Sequence, residues 1–140
     1  MRLVLDTNII VSGLLSSHGP PGRLIAAWLD LGFELVTSAE QIGELRRVLA
    51  YPKLRPFIDP GQARDFVENV GALADVRADL PALEVSPDPD DNVILASVVA
   101  GAADAVVSGD KSGMLALRAV EGIPIITARD AIERLGLKEA

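Results

Sequence analysis

The sequence predicts an α/β fold, a three-layer α/β/α sandwich around a central, mainly parallel sheet. Short apolar runs that read as strands alternate with stretches of helical character. Apolar strands separated by helices imply a parallel sheet covered on both faces. The 140 residues, 49% hydrophobic and 4% aromatic, suffice for one aliphatic core, so a single domain over 1–140 is expected. No internal repeat, low-complexity tract or long linker divides the chain.

Arg2–Asp6 is an apolar run ending in an acid, and residues 7–16 continue with helical character. Gly19-Pro20-Pro21-Gly22 breaks the chain, and residues 23–32 read as a second helix. Phe33–Thr37 is a strand, after which Ser38, with Gln41 three residues on, opens a helix to about Ala50. Tyr51–Pro60 is a loop holding three prolines, and Asp59-Pro60 sets a cap and a first-turn proline before a helix to about Leu73. Residues 74–89 are proline-rich and acidic. Asp90 is expected to cap an apolar helix, Ala105–Val107 to form a strand, and the turn 108–113 to lead into a short helix over Leu115–Val120. Pro124–Ile126 is a last strand, and Thr127 with Asp130 caps the final helix.

The absence of cysteine excludes a disulfide scaffold and a Cys-ligated zinc or iron–sulfur site. His18, the single histidine, lies in a Ser-Ser-His-Gly-Pro loop; mechanisms needing two imidazoles are excluded, and no GxSxG sequence accompanies it. Neither a GxxxxGK[ST] loop nor a GxGxxG fingerprint is present. The longest apolar stretch, Val93–Ala103, falls short of the roughly 18 residues a membrane helix needs, and the start MRLVLD meets an acid too early for a signal peptide. A cytoplasmic protein with no membrane association is the expectation. The net charge of −7 is uneven, with 7 basic and 8 acidic residues in 1–70 against 6 and 12 in 71–140. That balance opposes wrapping of nucleic acid by bulk electrostatics, without excluding a nuclease whose own acids hold metal ions.

Four acids stand where apolar residues or strand ends are expected. Asp6 ends the run Leu3-Val4-Leu5, and Asp110 lies just beyond Ala105-Val106-Val107, so parallel strands bring both carboxylates to one sheet edge. Asp91 shares a helical stripe with Ile94, Leu95 and Val98, a costly position for a carboxylate unless it is paired or metal-bound. Glu44 rims the apolar face formed by Ile42, Leu45, Val48 and Leu49, whereas Glu40 points further outward. Each acid has an ordinary alternative: a local turn for Asp6 and Asp110, a shifted cap for Asp91, a solvated helix face for Glu44. Together they point to a cation. Two carboxylates ~4 Å apart at an effective dielectric near 20 repel by ~4 kcal/mol, so convergence requires bound metal or raised pKa values. Oxygen ligands without thiols favour Mg²⁺ or Mn²⁺ and metal-assisted phosphodiester hydrolysis.

Arg46, Arg47, Lys53 and Arg55, with Tyr51 interleaved, either track the phosphates of an RNA strand or complement the dipole of the helix they end. Trp28 shares a helix face with Leu24 and Ile25 and reads as a core or dimer-contact residue.

LDTN at 5–8, Glu44 in the helix after the second strand, PDDN at 89–92 and VSGDK at 107–111 resemble the PIN-domain nucleases, and within them the VapC-like toxins. The resemblance spans almost the whole chain. It implies a PIN-like sandwich and a metal-dependent endoribonuclease in which Asp6, Glu44, Asp91 and Asp110 form the acidic quartet, catalytic and metal-holding, supported by Asn8 and Ser108. It also implies a small antitoxin partner and a homodimer. Related sequences often carry a further acid where Ser112 stands, which bears on whether a second metal is held.

Two other functions fit parts of the sequence. An aspartyl nucleophile at Asp6 with Lys111 nearby suggests a haloacid-dehalogenase-like phosphatase or receiver-like module, although Asn8 occupies the place of that pattern's second acid. A non-catalytic module using the fold as an interaction surface is the other.

Overall fold

The first strand, β1 (Arg2–Leu5), is interior to the sheet, flanked by a parallel neighbour on each side. The computed structural model describes residues 1–137; the domain expected over 1–140 ends in residues 138–140, which lie outside the described residues. After β1 come α1 (Thr7–Leu15), α2 (Pro20–Leu29), β2 (Glu34–Ser38), α3 (Ala39–Leu49), a 3-10 turn at Pro52–Leu54 and α4 (Pro60–Leu73). Then follow β3 (Asp75–Arg77), α5 (Pro89–Ala100), β4 (Ala105–Val107), α6 (Met114–Leu117), β5 (Ala119–Val120), β6 (Ile123–Ile126) and α7 (Ala128–Leu135). The sheet order is β3-β2-β1-β4-β6-β5, parallel except for the β5–β6 hairpin.

Side chains alternate across β1, so Leu3 and Leu5 enter one core and Val4 the other. The first core is closed by α1, α2, α3, α4 and α7, and Trp28 is buried there, edge-on to Phe66 of α4. Ile94, Leu95 and Val98 of α5, with Met114 of α6, close the second over Val4, Val36 and Val106. The expected α/β/α sandwich is therefore observed. None of the described helices is long and apolar enough to cross a membrane.

Four local expectations are corrected. Helix α2 starts at Pro20 and not after Gly22, because Gly19 takes the cap and the prolines occupy first-turn positions that need no backbone donor. Helix α5 is capped by Asp88, which accepts from the Asp90 backbone N–H, so Asp90 and Asp91 both lie in the first turn. Within the acidic segment 74–89, Asp75–Arg77 pairs with β2 as an edge strand, by backbone register rather than apolar patterning. The helix expected over Leu115–Val120 stops at Leu117. Arg118 turns at φ 65° and Ala119–Val120 folds back on β6 through Glu121-Gly122, both at positive φ, as a tight hairpin requires.

The loop leaving α1 crosses α2 closely at Gly22, where a Cβ would lie 2.4 Å from the Ser16 carbonyl oxygen. Backbone cannot yield as a side chain can, so Gly22→Ala is expected to cost roughly 2 kcal/mol and lower the melting temperature by several degrees. Gly71, inside α4, has open space around it. Gly71→Ala should raise stability by about 0.5–1 kcal/mol through helix propensity alone. Thermal melts that failed to give these opposite signs would contradict this account of the crossing.

Candidate active site

Leu5 of β1 pairs with Val107 of β4, so the next residues of both strands emerge side by side. The Asp6 N–H donates to the Val107 carbonyl at 2.9 Å, continuing the ladder one residue past the strand. From β1 the sheet proceeds to β2 and β3 on one side and from β4 to β6 on the other, so Asp6 sits at the switch point where open α/β sheets leave a crevice. Its side chain is buried, and the fully buried Ser108 hydroxyl donates to Asp6 Oδ2 at 3.1 Å. The same Ser108 oxygen accepts from the Asp110 N–H at 3.1 Å, tying the two acidic loops together.

Helix α3 is fixed to this edge by Gln41. Ser38 caps the helix by accepting from the Gln41 N–H, as its spacing predicts. The buried Gln41 carboxamide then accepts from Thr37 Oγ1 and donates to the Leu5 carbonyl, both at 2.6 Å. Glu44, three residues on and so on the same helix face, is carried to the edge beside Asp6. The sequence marks Gln41 only as a capping partner; its reach to Leu5 is a long-range contact without a local signal.

Asp6, Glu44, Asp91 and Asp110 line one cleft of about 260 Å³, together with Thr7 and Asn8. Asp88 and Asp90, which sequence reasoning assigned no site role, line it as well. Asn8 is exposed on the wall and makes no side-chain hydrogen bond among the described residues; the turn after β1 is braced by Gln41 instead. Asp110 is exposed, its Oδ1 accepting from the Gly113 N–H at 3.0 Å and the Ser112 hydroxyl at 3.3 Å. A Cβ at Gly113 would lie 2.1 Å from Asp110 Oδ2, so a side chain there would displace this carboxylate.

Of the four cations singled out, Arg47 lines the acidic cleft, as does Tyr51. The Lys53 ammonium stands 5.9 Å from the centre of the Tyr51 ring, Arg55 is exposed beyond the 3-10 turn, and Arg46 lines a separate, more apolar groove between α3 and α4. His18 lies exposed in its loop.

Burial pushes the Asp6 carboxyl up to about 6; the Ser108 hydrogen bond opposes this, and the charges of Asp91 and Glu44 add to it. Asp91 is raised as well, by burial first and then by Asp88, Asp110 and Asp90, against the pull of a Ser86 hydrogen bond. None of the four acids has an ion pair among the described residues. Among those residues, too, no three acids are drawn close enough to hold a metal ion as they stand. The donor set nevertheless suits a hard divalent cation: carboxylate oxygens only, with Asp6 and Asp91 made costly to ionise by burial and by neighbouring carboxylates. Ligation would draw in the side chains of Glu44 and Asp110, the half-buried and exposed members.

The raised Asp6 value makes a stability prediction. Between about pH 4 and 6 the folded chain keeps a proton that the unfolded chain has lost, so in metal-free protein this contribution is present at low pH and disappears as pH rises through 6. Asp6→Asn should flatten the pH dependence in that window and stabilise the protein at pH 7 by on the order of 2–3 kcal/mol. Melts in EDTA at pH 4, 5, 6 and 7 check this; a variant less stable than wild type at pH 7 contradicts it.

No curated protein and no solved structure matches the chain. The PIN domain family does match, over residues 2–112, which take in β1 through the turn after β4 and all four acids. Proteins of this family have a nuclease-type fold and generally act with divalent metal ions on phosphodiester bonds. The match covers well over half of the chain and agrees with the sheet and helix layers described above, and the chain belongs to the PIN domain family.

Proposed function

We propose that the chain is a metal-dependent endoribonuclease of the VapC-like branch, in which Asp6, Glu44, Asp91 and Asp110 hold Mg²⁺ or Mn²⁺ and RNA phosphodiester bonds are hydrolysed. The observation that carries the reading is the single cleft these four carboxylates line at the switch point of a PIN-family sheet, with no ion pair among the described residues. A divalent cation bound there supplies a positive centre that activates water and offsets charge on the leaving oxygen.

The chain's own residues do the rest. Ser108 keeps the Asp6 carboxylate aimed along the sheet edge, and Asn8 offers its amide on the same wall as a supporting polar group. Arg47 faces the acids from α3 and offsets the charge of an incoming phosphate, while Lys53 and Arg55 extend the positive path beyond Tyr51. Arg46, on the neighbouring groove, contributes at longer range. In this reading residues 1–140 act as one domain, and the sequence resemblance implies a small antitoxin as protein partner, a homodimer and a cytoplasmic location.

Wild-type protein should hydrolyse single-stranded RNA with Mn²⁺ or Mg²⁺ and stop with EDTA. Asp6→Asn and Asp91→Asn, shown folded by thermal melts, should lose about 100-fold or more. Activity surviving either substitution, with contaminating nuclease excluded, sinks the reading. Manganese that binds neither wild type nor Asp91→Asn in calorimetry turns it toward a non-catalytic interaction module.

Arg47→Ala should weaken RNA binding and reduce its salt dependence by about one ion's worth while leaving manganese affinity unchanged. Binding isotherms at several salt concentrations test this, and an unchanged slope removes Arg47 from the substrate path.

A further inference from the structure

Residues 85–88 fold back over the N-terminus of α5 and are latched there by Asn92. Its Oδ1 accepts from the backbone N–H groups of Val85 at 3.1 Å and Ser86 at 2.9 Å, and its Nδ2 donates to the Ser86 carbonyl at 2.8 Å. A carboxamide alone can serve two donors and one acceptor in this way; alanine loses all three bonds and aspartate the donor. The latch sets the Ser86 hydroxyl, which accepts from the Asp88 N–H at 3.2 Å and donates to Asp91 Oδ2 at 3.1 Å.

Asp91 needs such a donor. It shares its cleft with Asp88, Asp90 and Asp110, which all carry the same charge, and no ion pair holds it among the described residues. Repulsion favours rotation of its carboxylate out to water, and among the described residues Ser86 makes the one side-chain hydrogen bond opposing that. Being neutral, the hydroxyl fixes the direction of the carboxylate without cancelling the charge a cation would use.

We infer that Ser86 and Asn92 are positioning residues for Asp91: Asn92 latches the 85–88 segment to α5, and the Ser86 hydroxyl thereby holds Asp91 toward the metal-binding cleft. This rests on the nuclease reading above. Partners that orient a metal ligand typically change affinity by 10–100-fold when removed.

The test uses the full chain, stripped with EDTA, and manganese alone as the probe. Calorimetric titration of Ser86→Ala should show affinity reduced about 10-fold, with a melting temperature close to wild type. Ser86→Thr, which restores a hydroxyl, should return affinity to within about two-fold of wild type, a recovery that a loop role alone does not produce. In Asn92→Ala the Val85 and Ser86 amides should lose protection from hydrogen exchange, and affinity should fall as it does in Ser86→Ala. If Asn92→Ala does not fold, the Ser86 pair decides. Wild-type binding retained in full by Ser86→Ala, or a threonine that restores nothing, overturns the inference alone. Failure of wild type to bind manganese overturns the nuclease reading and this inference with it.

Discussion

The burial of one carboxylate at the meeting of two parallel strands is the constraint on which the site depends. Asp6 is fixed by its backbone bond to Val107, so its side chain cannot leave the switch point without breaking the ladder between β1 and β4. Charge in that position is costly, as the upward shift to about 6 records. Stability is spent there, and the two aliphatic cores on either side of the sheet carry the cost.

The surrounding groups orient carboxylates without neutralising them. Ser108 donates to Asp6, Ser86 to Asp91 and Ser112 to Asp110, each a neutral hydroxyl at 3.1–3.3 Å. A Lys or Arg in those places would satisfy the acids permanently and compete with any incoming cation. Ser112, just past the last acid, directs its hydroxyl at Asp110 in the same way. The cleft keeps its negative potential, and its cation, Arg47, comes from α3.

The opposite edge of the sheet is built the other way. Arg2 at the start of β1 pairs with Glu34 of β2 and Asp75 of β3 and also donates to the Gly101 carbonyl, while Arg77 reaches Asp75 and the Ala100 carbonyl. The hydrogen bond from Arg2 holds Asp75 below the usual carboxylate range, the reverse of the shift at Asp6 and Asp91. Partly exposed pairs of this kind add little stability singly, but these join three strand ends and fix where the short edge strand β3 can dock. Among the described residues, charges are paired where strand ends meet at this edge and left without ion pairs in the acidic cleft at the other.

Sequence alone determined the features set by neighbouring residues: the layered α/β class, the helix caps at Ser38, Asp59 and Thr127, and the odd placement of each of the four acids. Cap spacing and apolar periodicity act within a few residues, so they are legible in a linear chain. Tertiary structure decided what depends on residues far apart. Polar β3 is a strand because β2 and Arg2 offer it partners, and β5 is one because β6 lies beside it. Arg47 rather than Arg46 faces the acids because about 100° of helix rotation separates them once Gln41 has docked α3 on Leu5. Ser86 sits in a segment that reads as proline-rich and acidic, and its hydrogen bonds, with those that Asn92 of α5 makes to it, exist only when that segment folds over α5. Convergence of the acids is of the same kind, because parallel pairing of β1 with β4, separated by most of the chain, is what makes Asp6 and Ser108 neighbours.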